Sequence, residues 1–398
     1  MGFSFVFCVV CGCPFDIPPS EDALATDRWR SDDPLEDETK QWMCRIRLIG
    51  ATASLEQFAK PPFRMPKNES RTDGLFVSEP ADWAITDGFY FRLGQDPFRV
   101  LAAANDSGDV LFPLHENCLT ILQRAISWHA SFIPEPGPPL PSLVRVYKAL
   151  CAQYARNVAE KARLSKKTGF YGSSDYMDYG LEFEHDYEGA REFWASEGWT
   201  PTVDNESQWY CDDPVDIPKL ASFLSRQVQE TIQSKAIATV DSAKEQIGTT
   251  VNVEVSMPDS TARSSLEALP LELWNQIIVF LPTTSAVLQL RQCCKAFASR
   301  IPIDQQFWLT QLREGRVIRY LWDLESLGET MDSQVNPMPS IDPAYRDWKS
   351  LAQKLARGSI TIQADQESLE STLSKLWPLQ NRDRIFRLAE CLLKLPVN

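Results

Sequence analysis

Between residues 264 and 312 apolar side chains recur at helical spacing inside unusually strict punctuation. Leu273, Ile277 and Leu281 fall every fourth residue, with Trp274 and Ile278 beside them, so one face of a helix is continuously apolar. Pro270 fits the first turn of that helix, where its missing N–H would have had no partner, and Pro282 ends it. Thr283, Thr284 and Ser285 are N-cap candidates for a second helix, in which Val287, Leu288, Leu290 and Cys294 again share a face. A further apolar pair, Phe307 and Trp308, follows. A helical unit of about 45 residues is smaller than usually buries a sufficient core by itself, so this one is expected to leave apolar surface for a partner.

The whole chain has 398 residues, more than one core usually serves, and its 43% hydrophobic and 24% charged residues are an ordinary globular balance. Its net charge of −14 repels phosphate backbones, which argues against nucleic acid as the principal partner. The ten cysteines follow no secreted disulfide framework and read as reduced thiols of a cytosolic or nuclear protein. The apolar opening MGFSFVFCVV lacks a basic flank and a cleavage site, and no run of about eighteen apolar residues occurs, so neither a signal peptide nor a membrane span is expected.

The expected fold class is α+β. Residues 1–237 read as a mixed α/β domain, 238–263 as a linker, 264–312 as the helical unit and 313–398 as a mainly α region. Strands are predicted at 3–10, 43–50, 89–93 and 98–103, between loops rich in Pro and Asp. Helical spacing predicts helices at 114–129, 142–164, 218–235, 345–357, 367–377 and 381–395. The proline cluster at residues 134–141 reads as a linker or a rigid surface strap. Residues 171–214 are rich in aromatic and acidic side chains, fitting either an irregular core or a binding surface.

Two motifs suggest a metal. Cys8-Val9-Val10-Cys11-Gly12 has the form of a zinc knuckle: two thiolates two residues apart share an ion, and the glycine permits the tight turn. His115 and Cys118, placed in the first turn of a helix, lie on one face and could complete the set. The expected structural zinc site is therefore Cys8, Cys11, His115 and Cys118, with Cys13 and Cys44 as competing ligands and buried, inert thiols as the alternative. The insertion of about 100 residues between the halves is much longer than usual finger spacing.

Catalysis is not expected. Of the three histidines, His115 is claimed for metal, and His185 sits among acidic residues that an exposed loop explains equally well. No phosphate-binding loop, dinucleotide fingerprint or nucleophile elbow is present.

Leu269-Pro270-x-Glu272-Leu273, the isoleucine pair, Leu281-Pro282, Leu288-x-Leu290, Cys294-Lys295 and Phe307-Trp308 together resemble the F-box family. The resemblance covers about 50 of the 398 residues. One departure is Thr284-Ser285-Ala286, where the family often opens its second helix with aspartate. It implies a small helical bundle that binds the Skp-type adaptor of an SCF ubiquitin ligase, and through it a cullin, while the rest of the chain selects a target protein. Leu269, Pro270, Leu273, Ile277, Leu281, Leu288 and Leu290 are then the adaptor contacts, and Trp308 closes the bundle. More loosely, the Cys-x-x-Cys-Gly, the His-x-x-Cys, Asp347-Trp348-Lys349 and Asn381-Arg382-x-Arg384-Ile385 are similar to a group of fungal F-box proteins. Two readings from other classes stand beside this one: a zinc-stabilised interaction module outside ubiquitination, whose helical unit is plain core, and a metallohydrolase built on the His and Cys cluster.

Overall fold

The computed structural model describes residues 6–13, 15, 38–59, 70–72, 74–83, 90–104, 108–131, 140–168, 212–217, 220, 269–281, 283–293, 297–298, 301, 303–323, 347–356 and 377–396. Nearly all of the expected helices at 218–235 and 367–377, the linker, His185 and most of 171–214 lie outside them, as do Pro282 and Cys294. Two compact units result. One joins residues 1–217 to 366–398, and the other comprises 218–365.

In the first unit, β1 (Ile46–Ala51), β2 (Ser70–Thr72), β3 (Leu75–Val77) and β7 (Phe112–His115) form an antiparallel sheet in the order β2-β3-β1-β7. A second antiparallel sheet contains β4 (Asp82–Trp83), β5 (Tyr90–Leu93) and β6 (Asp96–Arg99). The single-turn helix α1 (Leu55–Phe58) follows β1. The fold is therefore α+β, as the sequence implies. The register of β1 on β7 pairs Ile46 with His115, which puts that histidine at the end of the central pairing.

Helix α2 (Glu116–Ala130) leaves β7 directly and buries Cys118, Ile121, Leu122 and Ala125 along one stripe. The last helix, α8 (Trp377–Lys394), packs against α2 and also against α3 (Leu143–Thr168), in which Val146, Leu150 and Tyr154 are buried. Ile385, Phe386, Leu388, Ala389 and Leu392 of α8 are all buried. The last helix therefore belongs to the same unit as the N-terminal sheet, whereas the sequence reading grouped it with everything after residue 313.

Three local expectations change. Of the strand expected at 3–10, the described residues keep only a bridge at Phe7, and residues 8–13 make a tight turn, with the Gly12 N–H donating to the Cys8 carbonyl (2.9 Å) and Gly12 at φ +73°. The strand expected at 98–103 stops at Arg99, because Leu101 turns to φ +55°; its carbonyl accepts from the Tyr154 hydroxyl at 2.7 Å. His115 ends β7 and precedes α2, so it is not in the first turn of the helix.

The second unit holds α4 (Leu271–Phe280), α5 (Thr284–Cys293), α6 (Gln305–Arg313) and α7 (Trp348–Ala356). Trp274, Val287, Phe297 and Ile301 form its core, the Trp274 and Phe297 rings lying 4.6 Å apart. Thr283 caps α5 through its hydroxyl, which accepts from the Ala286 N–H at 3.2 Å. Asp304, a cap the periodicity did not flag, accepts from the Phe307 N–H at 2.8 Å. The Arg316 guanidinium donates to the Leu281 carbonyl (3.3 Å) and to the Ile278 carbonyl (2.8 Å), the latter already accepting from the Leu281 N–H at 3.2 Å, and so closes the end of α4. Among the described residues no helix is long and apolar enough to cross a membrane.

Candidate functional site

The first site is a buried cluster of Cys8, Cys11, His115 and Cys118, whose ligand atoms all lie within 4.8 Å of one another. The 8–13 turn presents two sulfurs, the end of β7 supplies the imidazole, and the first turn of α2 supplies the third sulfur. His115 Nδ1 lies 3.3 Å from Cys11 Sγ and 3.8 Å from Cys118 Sγ. With zinc bonds of about 2.3 Å to sulfur and 2.0–2.1 Å to nitrogen, the edges of a tetrahedron are about 3.5–3.8 Å, so the cluster has the dimensions of a closed four-coordinate site. The donor set, three sulfurs and one nitrogen with no exposed ligand, fits a structural divalent ion.

Each ligand is held by its surroundings. Cys8 donates its backbone N–H to the Cys13 carbonyl (2.9 Å), closing the turn, and the His115 backbone N–H reaches Cys8 Sγ at 3.5 Å. The His115 ring lies between Phe15 and Trp42, at centroid distances of 4.7 and 4.9 Å. Arg47 pairs with Glu116 at the start of α2, its Nε donating to Oε1 at 3.0 Å, and its Nη1 donates to the Ser78 carbonyl. This ties β1 to the helix that carries Cys118.

The thiols divide electrostatically. Burial pushes Cys11 and Cys118 well above the ordinary thiol range. Burial also acts upward on Cys8, but hydrogen bonds with Cys11 and Cys118 and the neighbouring His115 outweigh it and bring Cys8 well below that range. A metal must therefore displace protons from Cys11 and Cys118 as it binds.

Of the two competing cysteines, Cys44 is exposed, and Cys13 is buried beside the quartet. A hydrogen bond with Cys11, opposed by burial and aided by Arg384, holds Cys13 at about 6. Sequence reading assigned no role to Arg384, to Asn381 or to the aromatic walls Phe15 and Trp42. The available signal was two arginines, Arg382 and Arg384, in a helix whose other residues at core spacing are apolar.

The second site is the surface of α4 and α5. Pro270 is exposed at the N-cap of α4 and Leu273 is 41% exposed, the latter among the few large apolar side chains so placed in the described residues. Leu269, Ile277, Leu281 and Leu290 are half-buried, each packed partly against the Trp274 core, and Leu288 is half-buried as well. None of these seven is buried, whereas Trp308 is. An apolar row is left on the surface of a unit that has its own core.

Residues 266–305 match the family model of the F-box domain. No curated protein and no solved structure matches the chain.

Proposed function

The chain carries an F-box domain, which marks it as a protein-interaction adaptor, and from that premise we propose that it is the substrate-recruiting subunit of an SCF-type ubiquitin ligase. In this reading the chain is non-catalytic: α4 and α5 dock on the Skp-type adaptor, and through it a cullin, while the remaining residues bind a target protein. The observation that carries the reading is the half-exposed apolar row Leu269, Pro270, Leu273, Ile277, Leu281, Leu288 and Leu290 within the matched segment. A plain core hairpin would bury it. Such a row supplies the desolvated apolar anchors that a helical docking surface needs.

The first unit is the zinc-stabilised part. Cys8, Cys11, His115 and Cys118 would hold the ion, which supplies cross-linking of the turn, the sheet and the helix and no chemistry on substrate, since all four positions are protein ligands. That closed set also disfavours the metallohydrolase alternative, which needs an open position.

Co-purification of the tagged full chain with mass spectrometry of bound proteins should recover a Skp-type adaptor and a cullin. The Leu273→Asp, Ile277→Asp double variant should lose both and keep the target. Recovery of targets without adaptor by the unaltered chain would instead favour an interaction module outside ubiquitination.

A further inference from the structure

The second turn of α8 buries polar groups where a core-sealing helix would carry apolar ones. Asn381, Arg382 and Arg384 are each 0% exposed. Arg384 Nη1 donates to the Cys11 carbonyl at 2.7 Å and Nη2 reaches Cys13 Sγ at 3.6 Å. Asn381 Oδ1 accepts from the same guanidinium at 3.1 and 3.3 Å, fixing its plane, and the Asn381 amide donates to the Asp212 carbonyl at 2.8 Å. Arg382 differs: its guanidinium donates to the Pro214 and Val215 carbonyls, at 2.5 and 2.9 Å.

A divalent ion bound by three thiolates and a neutral imidazole leaves one unit of negative charge in the interior. Burying that charge is costly unless a partner of opposite sign is buried with it. A guanidinium withdrawn from water is costly too unless its donors are paired; Arg382 is paired with backbone carbonyls alone, whereas Arg384 is paired beside the cluster. Arg384 places its positive charge against the turn that carries Cys11, through the Cys11 carbonyl and the neighbouring Cys13 sulfur, across a sequence separation of 373 from Cys11.

We infer that Arg384 is a positioning and charge-balancing residue of the metal centre, so that metal affinity depends on the docked C-terminal helix. This rests on the zinc reading of the quartet. By thermodynamic linkage, docking of α8 and zinc binding strengthen each other by the same factor. The C-terminal segment is then part of the metal site although it contributes no ligand.

The test is zinc affinity of the full chain, read by competition with a chromophoric chelator, for the unaltered protein and for Arg384→Gln, Arg384→Lys and Arg382→Gln. Loss of an outer-shell partner costs about 10–100-fold in metal affinity. Arg384→Gln is expected in that range, Arg384→Lys to recover at least a part of it by keeping the charge, and Arg382→Gln to lose far less. Arg382→Gln controls for the disturbance of removing a buried arginine from the same turn. Equal losses in Arg382→Gln and Arg384→Gln, or an Arg384→Gln chain that binds zinc like the unaltered one, overturn the inference and leave the zinc site standing. An unaltered chain that takes up no zinc overturns the site and the inference together.

Discussion

The two units of this chain are held together by opposite means. The F-box unit has a small core of Trp274, Val287, Phe297 and Ile301, brought together over fewer than about 30 residues by helical periodicity. The first unit converges polar groups from both ends of the chain on one point: Cys8 and Cys11 on a turn, His115 on a strand, Cys118 and Arg384 on two helices. A local apolar core can leave part of its stripe uncovered and still fold, and that uncovered part becomes a docking surface. A polar convergence cannot be left incomplete, because buried thiolates and a buried guanidinium without partners are each costly. The contrast accounts for an apolar row left at the surface of the helices beside a cysteine cluster that is closed.

Metal removal should separate the units most sharply. Structural zinc binding in small domains is worth about 10–16 kcal/mol, and much of that is folding free energy. A strong chelator, or Cys118→Ser, should therefore unfold the first unit or lower its melting temperature by tens of degrees, as read by hydrogen exchange in residues 46–51 and 116–130. Exchange in α4 and α5 should stay as it was. Parallel loss of protection in both would break the comparison.

Trp274→Ala makes the reciprocal cut. It removes a side chain that is 1% exposed at the centre of the F-box core, and such truncations cost about 3–5 kcal/mol. The F-box helices should lose protection and the adaptor should no longer bind, while zinc stoichiometry is retained. A smaller effect is expected at the knuckle. Gly12 sits at φ +73°, where a side chain costs about 1–2 kcal/mol, so Gly12→Ala should weaken zinc binding about tenfold without ejecting the ion. A neutral outcome would mean that the turn relaxes into another conformation.

How far the sequence exposed these features follows the same contrast. The F-box helices were legible because their signals are local: the four-residue stripe from Leu273, the Thr283 cap and the prolines all act within a turn or two. The quartet was legible as two halves, since a Cys-x-x-Cys-Gly and a His-x-x-Cys each carry ligand spacing. What joined them, the antiparallel pairing of β1 with β7 that sets His115, is a long-range register that no local pattern records. The strand expected at 3–10 gives way to the turn at Cys8–Cys13 because the apolar run of that segment outweighs, in a local reading, the turn that Gly12 permits. Arg384 was invisible in role for the same reason of distance, its partners lying near the other end of the chain.

The most direct test of the account is a calorimetric titration of a purified Skp-type adaptor into the full zinc-loaded chain. One-to-one binding is predicted, lost by at least a hundredfold in the Leu273→Asp, Ile277→Asp variant with zinc content unchanged. Absence of binding by the unaltered chain, or undiminished binding by the double variant, would contradict it.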